Sequence, residues 1–242
     1  ATLWSGILLL ISESHKFIFV HANKTGGNSV NKALDLYGFK YPADYEYDHE
    51  SINFPHSQHW TLQEIMKTGD FDDYYKFSIS RNPWDRMVSY YRKNVCNPIA
   101  APYVDAEFND WVKMAFVDKE TPEYKVRVDE RYSHKGGVYE REHDGTRNID
   151  EVYSYIKDDD GKIGVDYVID FKFLSIGFSC VMRRLGIDVQ LEEIPQMRSD
   201  VKTHEGKFFN IKTYHDMYNS ESVDIISDAF HNDIKMFGYT YE

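Results

Sequence analysis

The run Phe17-Ile18-Phe19-Val20-His21-Ala22-Asn23-Lys24-Thr25-Gly26-Gly27-Asn28-Ser29-Val30 changes character twice. Its first four residues are aromatic or β-branched and flanked by polar ones, which predicts a short buried strand. The polar, glycine-bearing segment Asn23–Gly27 cannot continue that strand and reads as a loop. Ser29, Val30, Ala33, Leu34 and Tyr37 then recur at helical spacing until Gly38 stops the helix. A strand, a glycine loop and a helix make half of a βαβ unit.

Tyr75–Ser80 is a second strand, and Arg81-Asn82-Pro83 turns into a helix with Pro83 at its first position. Met87, Val88, Tyr90 and Tyr91 supply that helix's apolar side. A short helix is expected from Trp60 to Lys67, with Thr61 as its N-cap. Further helices are expected over Phe108–Val117, Phe173–Leu185 and Val223–Phe237, the last ending at Gly238. Val152–Ile156 and Val165–Phe171 read as strands around an Asp158–Gly161 turn. Residues 40–58 and the doubly charged stretch 125–147 show no period and read as loop. Helices alternating with short buried strands predict an α/β fold. Its expected form is a three-layer α/β/α sandwich with a central, mainly parallel sheet and a P-loop-like strand–loop–helix. With no repeat and no Pro/Ser-rich linker, residues 1–242 are expected to form one domain with an irregular insertion at about 95–150, a lid or acceptor region.

Composition narrows the function classes. The chain has 242 residues, 42% of them apolar, which is globular rather than disordered or fibrous. Cys96 and Cys180 are its only cysteines, so neither a disulfide scaffold nor a four-cysteine zinc site is expected. The scattered His, Asp and Glu lack ligand spacing, and no metal is expected. A net charge of −12 argues against a nucleic-acid or anionic-membrane binder. The apolar run Ile7–Ile11 is too short to span a membrane and lacks the basic flank of a signal peptide.

The glycine loop has the chemistry of an anion cradle: close-approaching backbone amides, a helix N-terminus and the mobile charge of Lys24. Its plain alternative is an ordinary strand-to-helix turn with a surface lysine. It is not a Walker A loop, because Lys24 precedes the glycines rather than following them. In the second element, Arg81 ends the strand and Ser89 lies two turns into the helix. An arginine fork and a hydroxyl there can clamp a phosphate. The alternative is an Arg81–Asp85 pair that only fixes the turn.

Together the two elements resemble the cytosolic and Golgi sulfotransferase superfamily, which uses 3′-phosphoadenosine 5′-phosphosulfate (PAPS). The carbohydrate branch with the heparan and chondroitin enzymes is the most similar. That family carries Pro-Lys-Thr-Gly-Gly-Thr-Ser for the 5′-phosphosulfate and Arg-(Asn/Asp)-Pro-x-x-Arg-x-x-Ser-x-Tyr for the 3′-phosphate. The resemblance implies that Lys24, Thr25, Gly26, Gly27, Asn28 and Ser29 hold the phosphosulfate, and Arg81 and Ser89 the 3′-phosphate. It extends to Asp233–Tyr239, similar to the family's terminal helix ending, and is weakest over 95–165. Asn23 replaces the usual proline and Asn28 a common threonine; neither removes the amides or the lysine. Val168–Leu174 lacks the Arg-Phe-Glu-Asn often seen in relatives, so no role is carried over to it.

Sulfuryl transfer to a hydroxyl needs a base on the incoming oxygen and positive charge at the leaving phosphate; positioning and charge stabilisation do most of the work. Lys24 is the expected leaving-group stabiliser. Histidine is the best base on pKa grounds. His59, placed relative to Arg81 much as in heparan sulfate 2-O-sulfotransferase-like enzymes, is the first choice and His56 the second. His21, on the strand edge, reads as structural. By resemblance, the loop before the last helix supplies Arg198, Ser199 and Lys202 as further cofactor ligands; a solvated polar loop is the alternative.

The products implied are a sulfated acceptor and adenosine 3′,5′-bisphosphate. A glycan acceptor is favoured, with a small alcohol or a peptide tyrosine open. A dense polyanion is disfavoured, because the mixed charges of 125–147 lack a basic stripe. Two other functions stand beside this one: a P-loop-type nucleotide or small-molecule kinase, and a catalytically silent anion- or glycan-binding relative. A glycan on the Asn23-Lys24-Thr25 sequon would destroy the site, so a cytoplasmic or otherwise soluble location is expected. The Golgi lumen is the alternative if an anchor upstream of Ala1 has been removed.

Overall fold

The computed structural model describes residues 11–36, 59–95, 107–117, 149–187 and 213–242. The expectations for 40–58 and 125–147 lie outside these residues. The chain divides into two compact units: Ala1–Arg81 with Val152–Met197, and Asn82–Glu151 with Arg198–Glu242.

The first unit is built on a four-stranded sheet in the order β1-β2-β3-β4. β1 is Ile11–Ser12, β2 Phe17–Val20, β3 Tyr75–Ser80 and β4 Tyr167–Asp170. β1 is antiparallel to β2, whereas β2, β3 and β4 run parallel. The register pairs Val20 with Ser78 and Ser80 with Asp170, so these three strands end at one edge. Every residue of β2 is buried, as a continuous apolar run in a parallel sheet requires. Helix α1 (Gly27–Leu36) follows β2 and buries Val30, Ala33 and Leu34. Helix α2 (Leu62–Met66) starts at a capping box, in which Thr61 Oγ1 accepts from the Glu64 amide and the Glu64 carboxylate accepts from the Thr61 amide.

Two expectations need correction. Val152–Ile156 is not a strand but helix α5. Its aromatic and β-branched residues favour β structure, yet Val152, Tyr155 and Ile156 are the buried ones, at helical i, i+3, i+4 spacing. Packing overrides propensity there. A turn follows, held by the Asp158 carboxylate accepting from the amides of Asp160 and Lys162. Beyond β4, a single 3₁₀ turn (Phe171–Phe173) leads into α6 (Leu174–Arg184), and a Cβ on Gly177 would meet Ile169 of β4 at 2.5 Å.

The second unit is helical in its described residues. It comprises α3 (Pro83–Val95), α4 (Phe108–Phe116), a 3₁₀ turn (Tyr214–Met217), α7 (Ser220–Ala229) and α8 (His231–Phe237). The Asn82 side-chain oxygen accepts from the amides of Trp84 and Asp85 and caps α3. Trp84, Met87, Val88, Tyr91, Phe108, Trp111, Val112, Ile226 and Phe230 form one buried cluster. The second correction falls here: the continuous period through 223–237 spans two helices, not one. Phe230 leaves helical geometry (φ −121°, ψ 31°) with its side chain buried, and packs edge-on to Phe116. The Glu151 carboxylate then accepts from the amides of Asn232 (2.7 Å) and Asp233 (3.3 Å), capping α8. Gly238, at φ 68°, ends α8 as expected.

Candidate functional site

In open α/β sheets, ligands sit outside the carboxyl ends of the parallel strands. The residues following β2, β3 and β4 at that edge are His21–Gly27, Arg81 and Phe171. The loop after β2 is pinned from inside: Thr25, fully buried, donates its hydroxyl to the Ala22 carbonyl at 2.8 Å. Lys24 takes a left-handed backbone conformation (φ 64°) and Gly26 one at φ 95°. For a lysine this costs about 1 kcal/mol. Arg81 Nη1 donates to the Lys24 carbonyl at 3.1 Å. A hydrogen bond from a charged donor contributes about 1.5–3 kcal/mol, enough to outweigh that strain.

The two glycines are needed for packing reasons the motif alone does not state. A Cβ on Gly26 would lie 2.7 Å from Cε2 of Phe171. A Cβ on Gly27 would collide with the imidazole of His21. That ring is buried, stacked on Phe19 (5.4 Å between centroids) and edge-on to His59 (4.5 Å). Gly27 opens α1, so the loop passes directly into a ten-residue helix whose first amides face the loop side.

His59 is half-buried just ahead of α2, and its Nδ1 lies 3.0 Å from the His21 carbonyl oxygen. A carbonyl only accepts, so Nδ1 is the donor. In the neutral ring the lone pair then resides on Nε2, the tautomer a general base requires. The His21 ring is buried against Phe19 and His59, and its carbonyl sets the tautomer of His59.

Lys24, Thr25, Gly26, Gly27, Asn28, Ser29, His59 and Arg81 therefore all belong to the first unit. Asn28 is exposed, Ser29 is buried and Lys24 is half-exposed. Ser89 is half-buried on α3 of the second unit. His56, Arg198, Ser199 and Lys202 lie outside the described residues. Phe171 was not a sequence-level candidate. The Arg81 guanidinium carbon lies 4.2 Å from the centroid of its ring, a contact between strand ends that no local pattern announces. Among the described residues no cluster of His, Cys, Asp and Glu could hold a metal, and no helix is long and apolar enough to cross a membrane.

The fold and this loop define a mixed α/β protein with its charged groups at the carboxyl edge of a mostly parallel sheet. The model of the sulfotransferase family matches residues 8–240, and the chain belongs to that family. The match runs across both compact units. It makes the protein a transferase of sulfuryl groups to a hydroxyl-bearing acceptor. No curated protein and no solved structure gives a significant match.

Proposed function

We propose that the protein transfers the sulfuryl group of PAPS to an acceptor hydroxyl, with a glycan the favoured acceptor. The observation that supports this reading best is that Arg81 donates to the carbonyl of Lys24 itself. The two cationic groups needed for a doubly phosphorylated nucleotide thereby belong to one assembly. The donor set fits such a ligand: an αL lysine, two glycines, a helix N-terminus and an arginine, with no carboxylate in the loop. The P-loop-like description and the three-layer arrangement are part of the same proposal. Ser89 as a 3′-phosphate ligand rests on its spacing from Arg81 and on the resemblance; Arg198, Ser199 and Lys202 rest on the resemblance alone.

PAPS supplies an activated sulfuryl group on a 5′-phosphate. His59 Nε2 takes the proton of the acceptor hydroxyl as its oxygen bonds to sulfur. The bond between sulfur and the bridging phosphate oxygen breaks, and Lys24 neutralises the charge that develops on that oxygen. The loop amides and Arg81 hold the nucleotide in line, and the departing product is adenosine 3′,5′-bisphosphate. The tautomer imposed by the His21 carbonyl favours His59 over His56 for the base.

The kinase reading predicts magnesium-dependent binding of ATP in preference to other nucleotides. Calorimetric titration with adenosine 3′,5′-bisphosphate and with ATP, each with and without magnesium, separates the two. The proposal predicts metal-independent binding of the bisphosphate and weak ATP binding. Magnesium-dependent ATP binding with no response to the bisphosphate would overturn it.

A further inference from the structure

The residue after β4 has no role carried over from the family resemblance, yet it touches both halves of the proposed nucleotide site. Ser80 pairs with Asp170 in the β3–β4 register, so Arg81 and Phe171 leave the sheet side by side. The Asp170 carboxylate accepts from the Lys172 amide at 2.9 Å and fixes the turn that carries Phe171. The half-buried ring then makes two contacts. One edge lies against Gly26, where a Cβ would stand 2.7 and 2.8 Å from Cε2 and Cδ2. The Arg81 guanidinium packs on it at 4.2 Å.

A guanidinium is planar, so a ring contact and one hydrogen bond together fix both its position and its orientation. For Arg81 these are Phe171 and the Lys24 carbonyl at 3.1 Å. The same two groups bracket the turn Lys24–Gly26, which has left-handed φ at Lys24 and a positive φ at Gly26. We propose that Phe171 is a positioning residue of the anion site, and that Phe171 and Arg81 together hold the glycine loop in its binding shape. Arg81 then acts on both ends of the nucleotide: directly on the 3′-phosphate, and through the Lys24 carbonyl on the loop that holds the 5′-group. Cation–aromatic and charge-assisted contacts of this kind are each worth roughly tenfold in an equilibrium constant. Preorganisation converts that factor into ligand affinity.

The inference rests on the PAPS reading, and its test uses two probes that differ only at the 3′ position. Adenosine 3′,5′-bisphosphate carries the 3′-phosphate; adenosine 5′-monophosphate lacks it. Affinities of both are measured by calorimetry for the wild-type chain, Phe171→Leu, Phe171→Tyr and Arg81→Lys, with a thermal melt of each. Phe171→Leu is expected to lose about tenfold for both probes, and Phe171→Tyr to return within about twofold of wild type. Arg81→Lys is expected to weaken the probe without a 3′-phosphate by about five- to tenfold as well. A merely structural Phe171 would lower the melt and leave the affinities of the folded protein unchanged. That outcome overturns the positioning role. Arg81→Lys that weakens only the bisphosphate overturns the coupling, and this arm stands even if Phe171→Leu does not fold. Wild-type protein that binds neither probe refutes the PAPS reading itself, a result distinct from either.

Discussion

Replacing Gly27 by alanine sets two effects of opposite sign against each other. Gly27 is the first residue of α1 and is not among the positive-φ glycines, so backbone strain does not enter. Helix propensity alone favours alanine by up to about 1 kcal/mol in a helix interior, and less at its first position. Against this, the new Cβ would overlap the His21 imidazole. The ring has no easy retreat: it is 2% exposed, stacked on Phe19 and edge-on to His59. Overpacking a closed site costs about 1–3 kcal/mol. The clash wins, leaving a net loss of about 1–2 kcal/mol. At about 2–4 °C per kcal/mol for a chain of this size, the melting temperature should fall by about 2–8 °C. Differential scanning calorimetry of wild type, Gly27→Ala, His21→Ala and the double variant tests the cause. The two losses should be sub-additive, with a coupling of about 1 kcal/mol or more, because removing the ring makes room for the methyl group. A Gly27→Ala melt at or above wild type, or strict additivity, would show that the His21 ring does not oppose a side chain at this position.

Three further outcomes follow from other parts of the structure. His59→Ala should lower turnover with a competent acceptor by about 10²–10⁴-fold while nucleotide affinity stays within a few-fold; near wild-type turnover would remove it as the base. Asp233 and Arg86 are a fully buried pair 4.0 Å apart, and Arg86 also donates to the Asp150 carbonyl. Asp233→Ala leaves that guanidinium charge buried without its carboxylate and should cost about 3–5 kcal/mol in chemical denaturation, whereas a loss under 1 kcal/mol would mean the pair is peripheral. Burial, with a smaller contribution from Glu107, pushes the Tyr91 phenol up to about 12 from an ordinary value of 10.0. Its neutral form is the one the fold favours. The contribution is therefore fully present below pH 10 and lost as pH rises through about 12. Tyr91→Phe should match wild type in its pH response below pH 10 and become progressively more stable relative to it above that, in denaturant melts at stepped pH.

The parts of the fold legible in the sequence are those written in short-range chemistry. The run Phe17–Val20 is apolar throughout because β2 is buried on both faces, and Pro83 and Gly238 mark helix ends by their backbone geometry alone. Lys24, the two glycines and Arg81 are legible because the proposed anion cradle is assembled from adjacent amides and strand ends. What escapes is what depends on distant partners. Val152–Ile156 has the residues of a strand, and only its burial on one helical face decides otherwise. The period of 223–237 runs unbroken through Phe230, and the break there is stabilised by Glu151 from far back in the chain. β1, two residues long, is too short to carry any alternation. Within the site, the His59–His21 carbonyl bond and the Phe171–Arg81 contact each join residues from different segments, so no spacing rule encodes them.

The net charge of −12 disfavours an extended anionic acceptor but not an anionic cofactor, because the proposed pocket is built from local amides and two cations. The proposed chemistry therefore depends on one small assembly at the ends of β2 and β3. Transfer of labelled sulfate from PAPS to a panel of neutral glycans, small alcohols and tyrosine peptides, run for wild type and Lys24→Ala, tests it most directly. Metal-independent transfer to at least one hydroxyl acceptor is expected. In Lys24→Ala, turnover should fall by more than affinity for adenosine 3′,5′-bisphosphate does. Absence of transfer to every class, from protein that binds the bisphosphate, would contradict it and leave an anion-binding relative in place of an enzyme.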